Sequence, residues 1–222
     1  MDFIFMLTRS DQTIADCLDV YDSIRRVPVR HIGFKDVGVD FETLRRLHDR
    51  MREDGKTTYL EVVSADRDSC LRSVEAGAKL GVDALMGGTL VDEVLAILKG
   101  TKTGYYPFPG NPVGHPTKLG GTPEKVAADT ASMVKAGCAG VDLLAYRATE
   151  ADPLDLIRAA RGATTRPVVV AGSIDSPERI KAVREAGADL FTIGTAALDG
   201  KFNPRYGLLA NQLEQILAAC KA

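Results

Sequence analysis

Few side chains in this sequence could do chemistry near neutral pH, and two of them sit where such groups are costly. Lys35 closes the apolar run His31-Ile32-Gly33-Phe34-Lys35, and Glu61 lies inside Tyr59-Leu60-Glu61-Val62-Val63. An amine and a carboxyl placed among apolar neighbours are expensive unless they are paired or used. Side by side, they could act on a carbonyl compound in two ways. As an ammonium, Lys35 would stabilise an enediolate while Glu61 carries the proton. As a free amine, with its pKa lowered by desolvation and by a nearby Arg147, Lys35 would form a Schiff base with a ketone. A third candidate is His115, in the Pro- and Gly-rich stretch Pro107–Gly121, as a general acid or base, with Asn111 and Lys118 as substrate contacts.

The elements that must position these groups follow from periodicity. Short apolar runs alternate with longer segments of helical period, which implies parallel strands joined by helices. The strands expected are Phe3–Thr8, His31–Asp36, Thr57–Ser64, Ala84–Gly88, Gly104–Phe108, Val141–Arg147, Pro167–Ala171 and Leu190–Gly194. Between and after them fall helices at Thr13–Arg26, Phe41–Glu53, Arg67–Leu80, Val91–Lys99, Pro123–Ala136, Pro153–Arg161, Pro177–Ala186 and Tyr206–Cys220. Thr122-Pro123, Asp152-Pro153 and Ser176-Pro177 each place a capping oxygen before a proline, and Gly55, Gly81, Gly137 and Gly187 follow helical periods. Eight such units make a single-domain (β/α)8 TIM barrel spanning residues 1–222. An open dinucleotide-binding sheet lacks its fingerprint, because the first turn, Thr8-Arg9-Ser10-Asp11, holds no G-x-G-x-x-G.

In such a barrel, chemistry belongs at the C-terminal ends of the strands. Three helix-to-strand junctions repeat as Gly81-Val82-Asp83, Gly140-Val141-Asp142 and Gly187-Ala188-Asp189. Read as equivalents, their aspartates open strands on the stabilising face, which leaves Asp142 out of the site. The same equivalence points Met86, Gly88, Ala145, Arg147, Thr192 and Gly194 inward. Alternation turns Gly33, Lys35, Tyr59 and Glu61 inward as well.

The last two units each end in glycine before a helix: Val170-Ala171-Gly172-Ser173 and Thr192-Ile193-Gly194-Thr195. Glycine lets a backbone approach a ligand closely, and the peptide N–H groups that follow favour an anion. Phosphate between the seventh and eighth loops recurs in this fold.

On these residues the chain resembles the ribulose-phosphate-binding barrel superfamily, which includes histidine-biosynthesis isomerases, phosphosugar epimerases, keto-sugar-phosphate decarboxylases and the tryptophan-pathway barrels. The resemblance lies in the strand rhythm over the full length and in two motifs, VVVAGSIDSPERIKAVREAGAD and LFTIGTAAL. It implies that Gly172, Ser173, Gly194 and Thr195 hold a phosphate. Arg147, read at the mouth of the barrel, and Asn111, in the Pro- and Gly-rich stretch, are the further substrate contacts expected. The expected substrate is a small phosphorylated sugar or keto acid, and the Lys35–Glu61 pair favours isomerase or epimerase proton transfer. A class I aldolase using Lys35 and a non-catalytic phosphate sensor are the alternatives. The motifs do not select one reaction. Strand one ends in Thr8-Arg9, where the decarboxylases and the histidine-pathway isomerases carry an acidic residue. The three histidines are too scattered for the epimerases' metal site.

Composition agrees with an ordinary soluble globular protein. With 28 Lys+Arg against 30 Asp+Glu and no long same-sign run, neither a nucleic-acid nor a membrane partner is expected. The N-terminal MDFIFMLTRS lacks the basic region of a secretion signal, so a cytoplasmic location is expected. Cys17, Cys70, Cys138 and Cys220 form no C-x-x-C and are read as reduced core thiols, with no metal and no cofactor. A homodimer is the default oligomer.

Overall fold

In the computed structural model, which describes residues 1–63, 66–114 and 116–221, eight parallel strands form one barrel. They are β1 (Asp2–Met6), β2 (His31–Lys35), β3 (Thr57–Glu61), β4 (Ala84–Met86), β5 (Gly104–Tyr106), β6 (Val141–Leu143), β7 (Val168–Val170) and β8 (Leu190–Ile193). The sheet runs β6-β7-β8-β1-β2-β3-β4-β5. Its two ends meet where the N–H groups of Ala139 and Asp142 donate to the carbonyls of Tyr105 and Pro107, both at 2.9 Å.

The helices are α1 (Cys17–Ile24), α2 (Phe41–Glu53), α3 (Arg67–Leu80), α4 (Val91–Leu98), α5 (Pro123–Ala136), α6 (Pro153–Ala163), α7 (Pro177–Glu185), the short α8 (Thr195–Leu198) and α9 (Leu209–Lys221). They start where the capping oxygens stand. Thr122 accepts from the Lys125 N–H, Asp152 from Leu154 and Asp155, and Ser176 from Arg179. Gly81 and Gly137 close α3 and α5 in left-handed conformation.

Two apolar cores result from the pleat. Alternate strand residues such as Phe3, Phe5, Ile32, Phe34, Leu60 and Phe191 pack against the helices. The opposite set, Ile4, Met6, Tyr59, Ala84, Met86 and Val169, fills the barrel interior.

Some boundaries differ from the sequence reading. Strand six ends at Leu143 rather than Arg147, and the chain then winds into a 3-10 turn at Ala145–Arg147. Ala145 therefore packs in the helix-side core and not inside the barrel. The third strand stops at Glu61, short of Ser64, which lies outside the described residues. The Pro- and Gly-rich stretch after β5 is not an open loop. It forms an antiparallel ribbon of Asn111–Val113 with Lys118–Gly120. The ribbon is fastened by Asp129 accepting from the Gly110 N–H and Glu150 from the Gly121 N–H, both at 2.9 Å. Four further residues, Thr8-Arg9 and Gln12-Thr13, make a small hairpin directly after β1.

Glycine substitutions separate crowded from open positions. A Cβ at Gly140, at the start of β6, would collide with the Pro167 carbonyl and the Tyr106 ring, whereas one at Gly162 in α6 meets nothing within 4 Å. Gly140→Ala is expected to destabilise the barrel by about 1–3 kcal/mol. Gly162→Ala should stabilise it by about 0.5–1 kcal/mol. Urea denaturation of the two variants against the parent checks both signs.

Candidate active site

The C-terminal rim of the barrel opens into a cavity of about 560 Å³. Its floor is built from β2 and β3. The register sets Lys35 opposite Glu61, and the Lys35 Nζ lies 3.3 Å from Glu61 Oε2. Lys35 is 3% exposed and Glu61 7%.

A second carboxylate reaches the same amine from the hairpin after β1. Asp11 Oδ1 is 2.8 Å from Lys35 Nζ. The hairpin owes its place to Thr13, whose hydroxyl donates to the Lys35 carbonyl and accepts from the Lys35 N–H, each at 2.8 Å. Its tip, Ser10-Asp11, has φ of +51° and +59°, so the tight two-residue turn is made without glycine. Sequence reasoning read this turn only for what it lacked, and so missed Asp11. An acidic group does follow strand one, in the hairpin just past Thr8-Arg9.

Arg147 enters from the turn after β6. Its guanidinium meets Asp11 at 3.3 Å and 3.4 Å and donates to the Thr117 carbonyl at 3.4 Å. Gly172 makes room for it, because a Cβ there would lie 2.6 Å from Arg147 Nε. Lys35 and Arg147 thus share Asp11 between them.

These contacts fix the charges. Burial opposes ionisation of Asp11, but attraction to Lys35 and Arg147 and their hydrogen bonds prevail, and its carboxyl is lowered to about 2. Burial also presses the Lys35 amine downward, yet Glu61 and Asp11 outweigh both burial and Arg147, and its pKa is raised. Of the two forms that the sequence leaves open, this raised pKa favours the ammonium over the free amine. Two carboxylates grip the amine, where sequence reasoning counted one.

The opposite wall is formed by the loops after β7 and β8. Gly172 (φ +81°), Ser173 (φ +59°), Gly194 and Thr195 all line the cavity. Among the described residues, no acceptor takes the N–H groups of Ser173 or Gly194. Arg179 and Lys201, which the sequence reading did not single out, line the same cavity. Arg179 lies over the Tyr146 ring at 4.9 Å and is paired with Asp175 at 3.1 Å; Lys201 is paired with Asp199 at 3.0 Å.

Two expected members are not brought in. Asn111 is exposed in the ribbon and does not line this cavity. His115 lies outside the described residues. Among those described, no group of three or more His, Cys, Asp or Glu is placed to hold a metal ion, and no helix is long and apolar enough to cross a membrane.

Asp142 corrects the repeat. The N–H groups of Val82, Cys138 and Ala188 each bond the carbonyl five residues back, at Gly77, Met133 and Val183. The true equivalents are therefore Asp83, Ala139 and Asp189. Asp142 lies three residues further on and matches Met86 and Thr192, which point inward. Asp83 and Asp189 do stand at the stabilising end, where they accept from the N–H groups of Thr58 and Val168 at 2.8 Å. Asp142 is fully buried inside the barrel. A helix-end alignment of the three junctions would have found it.

With eight parallel strands closed on themselves and a rim cavity flanked by the seventh and eighth loops, the fold is decided. The chain has the (β/α)8 TIM-barrel fold. The model of a histidine biosynthesis protein family matches residues 110–204, less than half of the chain. No curated protein matches it at the sequence level. Among solved structures, 3-hexulose-6-phosphate synthase is similar at 17% identity and a TM-score of 0.64, covering 99% of both chains. Orotidine 5'-phosphate decarboxylase from Pyrococcus horikoshii OT3 is similar at 13% identity and a TM-score of 0.67, again over 99% of both chains. The native KDPGal structure matches at 14% identity and a TM-score of 0.67, over 99% of this chain and 95% of that one. At these identities the likeness is one of fold. Within this barrel, the charged cluster and the two glycine loops furnish the rim.

Asp11→Asn tests the cluster. Because the Asp11 carboxyl is lowered to about 2, its ion pairs stabilise the fold fully above about pH 4 and lose effect as pH falls toward 2. The variant should be less stable than the parent by about 2 kcal/mol at pH 7. That gap should narrow as the pH is lowered, as followed by urea denaturation at several pH values.

Proposed function

We propose that this protein is an enzyme acting on a small phosphorylated sugar or keto acid, by proton transfer through an enediolate in the manner of an isomerase or epimerase. One observation carries the reading. The buried Lys35–Glu61 pair, 3.3 Å apart, lies in the same cavity as the glycine loops after β7 and β8. The substrate's phosphate would rest against Gly172, Ser173, Gly194 and Thr195, with Arg147 beside it. Its carbonyl end would then point toward β2 and β3.

There, Lys35 acts as an ammonium. Its raised pKa supports stabilisation of negative charge on an enediolate oxygen rather than nucleophilic attack. Glu61 accepts the proton from the carbon beside the carbonyl and returns it to the neighbouring carbon or the other face. Asp11 holds Lys35 and Arg147 in place. The histidine biosynthesis family match over residues 110–204, and the phosphate esters named for two structural neighbours, are in keeping with a phosphorylated substrate. The cellular setting proposed is the cytoplasm, and the working unit a homodimer.

Incubation in deuterium oxide with a panel of phosphorylated keto sugars and keto acids should show C–H exchange by NMR for at least one member. Glu61→Gln and Lys35→Met should slow that exchange by about 10²–10⁴-fold. A borohydride-trapped adduct on Lys35 would replace this reading with Schiff-base chemistry. Thermal stabilisation by a phosphorylated compound, with neither exchange nor adduct, would make the protein a sensor. Crystals soaked in phosphate should hold the ion beside Gly172 and Gly194; an ion elsewhere in the cavity would reverse the assigned substrate orientation.

A further inference from the structure

Asp142 is unlike every other carboxyl among the described residues: it is fully buried, and neither side-chain oxygen has a hydrogen-bond partner. Its backbone is fixed, because its N–H closes the barrel on the Pro107 carbonyl. The pleat turns its side chain into the interior, below the cavity floor. The titratable groups whose charge reaches it are Glu61 from β3, Lys35 from β2, Arg147 from the turn after its own strand and the Tyr105 phenol from β5. Val169, its register partner on β7, is apolar.

Charge counting then constrains the cluster. Lys35 and Arg147 supply two positive charges. Asp11 is committed to both of them, and Glu61 to Lys35. Those four groups already sum to zero. A fifth, bare carboxylate with no donor on either oxygen would be a buried, uncompensated charge beside another of the same sign. A proton removes that charge and supplies a donor.

We propose that Asp142 is a carboxylic acid at neutral pH, held neutral by its burial and by the negative charge of Glu61, which faces the same interior. Asp142 is a positioning residue in this scheme. By remaining neutral it adds no second negative charge beneath Glu61, which is paired with Lys35 and lines the cavity. The reverse assignment would put the charge where no hydrogen bond or ion pair meets it. Two carboxyls in one barrel thus take different forms because their surroundings differ.

The test needs no ligand, so it can fail while the phosphate reading stands, and the reverse. The whole chain, with its aspartate carboxyls labelled with carbon-13, is titrated by NMR between pH 5 and 9. One aspartate signal should still be protonated at pH 7 and should vanish in Asp142→Asn. In Glu61→Gln its midpoint should fall by about one pH unit or more, because the neighbouring negative charge is gone. A signal already ionised at pH 7 would overturn the proposal. So would a midpoint that Glu61→Gln leaves in place, which would make burial alone responsible.

Stability gives a second readout. With its carboxyl raised in the folded state, Asp142 makes the parent less stable as pH rises above about 4, where the unfolded chain releases that proton and the folded chain keeps it. Asp142→Asn should therefore gain stability over the parent as pH rises from 4 to 8, and a flat difference would count against a neutral Asp142. Should Asp142→Asn fail to fold, the parent and Glu61→Gln titrations decide the matter.

Discussion

The ammonium of Lys35, set between two carboxylates at the base of the rim cavity, is the contact on which the other features of the site depend. An amine that is 3% exposed stays charged only because Asp11 and Glu61 reach it from adjacent elements at 2.8 Å and 3.3 Å. Each partner then imposes its own demand on the chain. Asp11 requires the hairpin after β1, and the hairpin requires Thr13 on the backbone of Lys35 itself. Arg147 is drawn to Asp11 as the second cation, and its guanidinium occupies space that any residue other than glycine at 172 would fill.

The architecture was readable in the sequence because it is specified redundantly. Hydrophobic period, capping oxygens before prolines and glycines after helices all mark the same eight units, so an error of a residue or two at one boundary leaves the ring intact. Lys35, Glu61 and the two glycine loops were equally legible, since each follows from strand alternation or strand ends. Asp142 was not, for a definite reason. Gly140-Val141-Asp142 matches two other junctions letter for letter, but the helix before it ends one turn element earlier, at Gly137. Strand parity is lost by a slip of one residue, and here the slip was three. The backbone bonds that reveal the true frame exist only after folding.

Asp11 and the turn at Arg147 were hidden by a different cause. Both lie beyond strand ends, where side-chain direction depends on the path of a turn rather than on a period. A left-handed Ser10-Asp11 tip is unusual for non-glycine residues, and no composition signal announces it. Arg147 was placed at the correct rim by a strand that in fact ends four residues earlier. Its presence at the mouth follows from the short 3-10 turn, and the conclusion survived although the reason changed.

The division of apolar residues into two cores has a consequence for how such a molecule can change over generations. Cohesion resides mainly in the extensive layer between sheet and helices, while the tube within contributes a smaller cluster of Ile4, Met6, Tyr59, Ala84, Met86 and Val169, with Tyr106 and Leu190 at its edge. Exchanges among the polar groups at the mouth therefore leave that outer layer untouched. A descendant could acquire a new reaction by altering a few rim positions, without first having to rediscover how to fold.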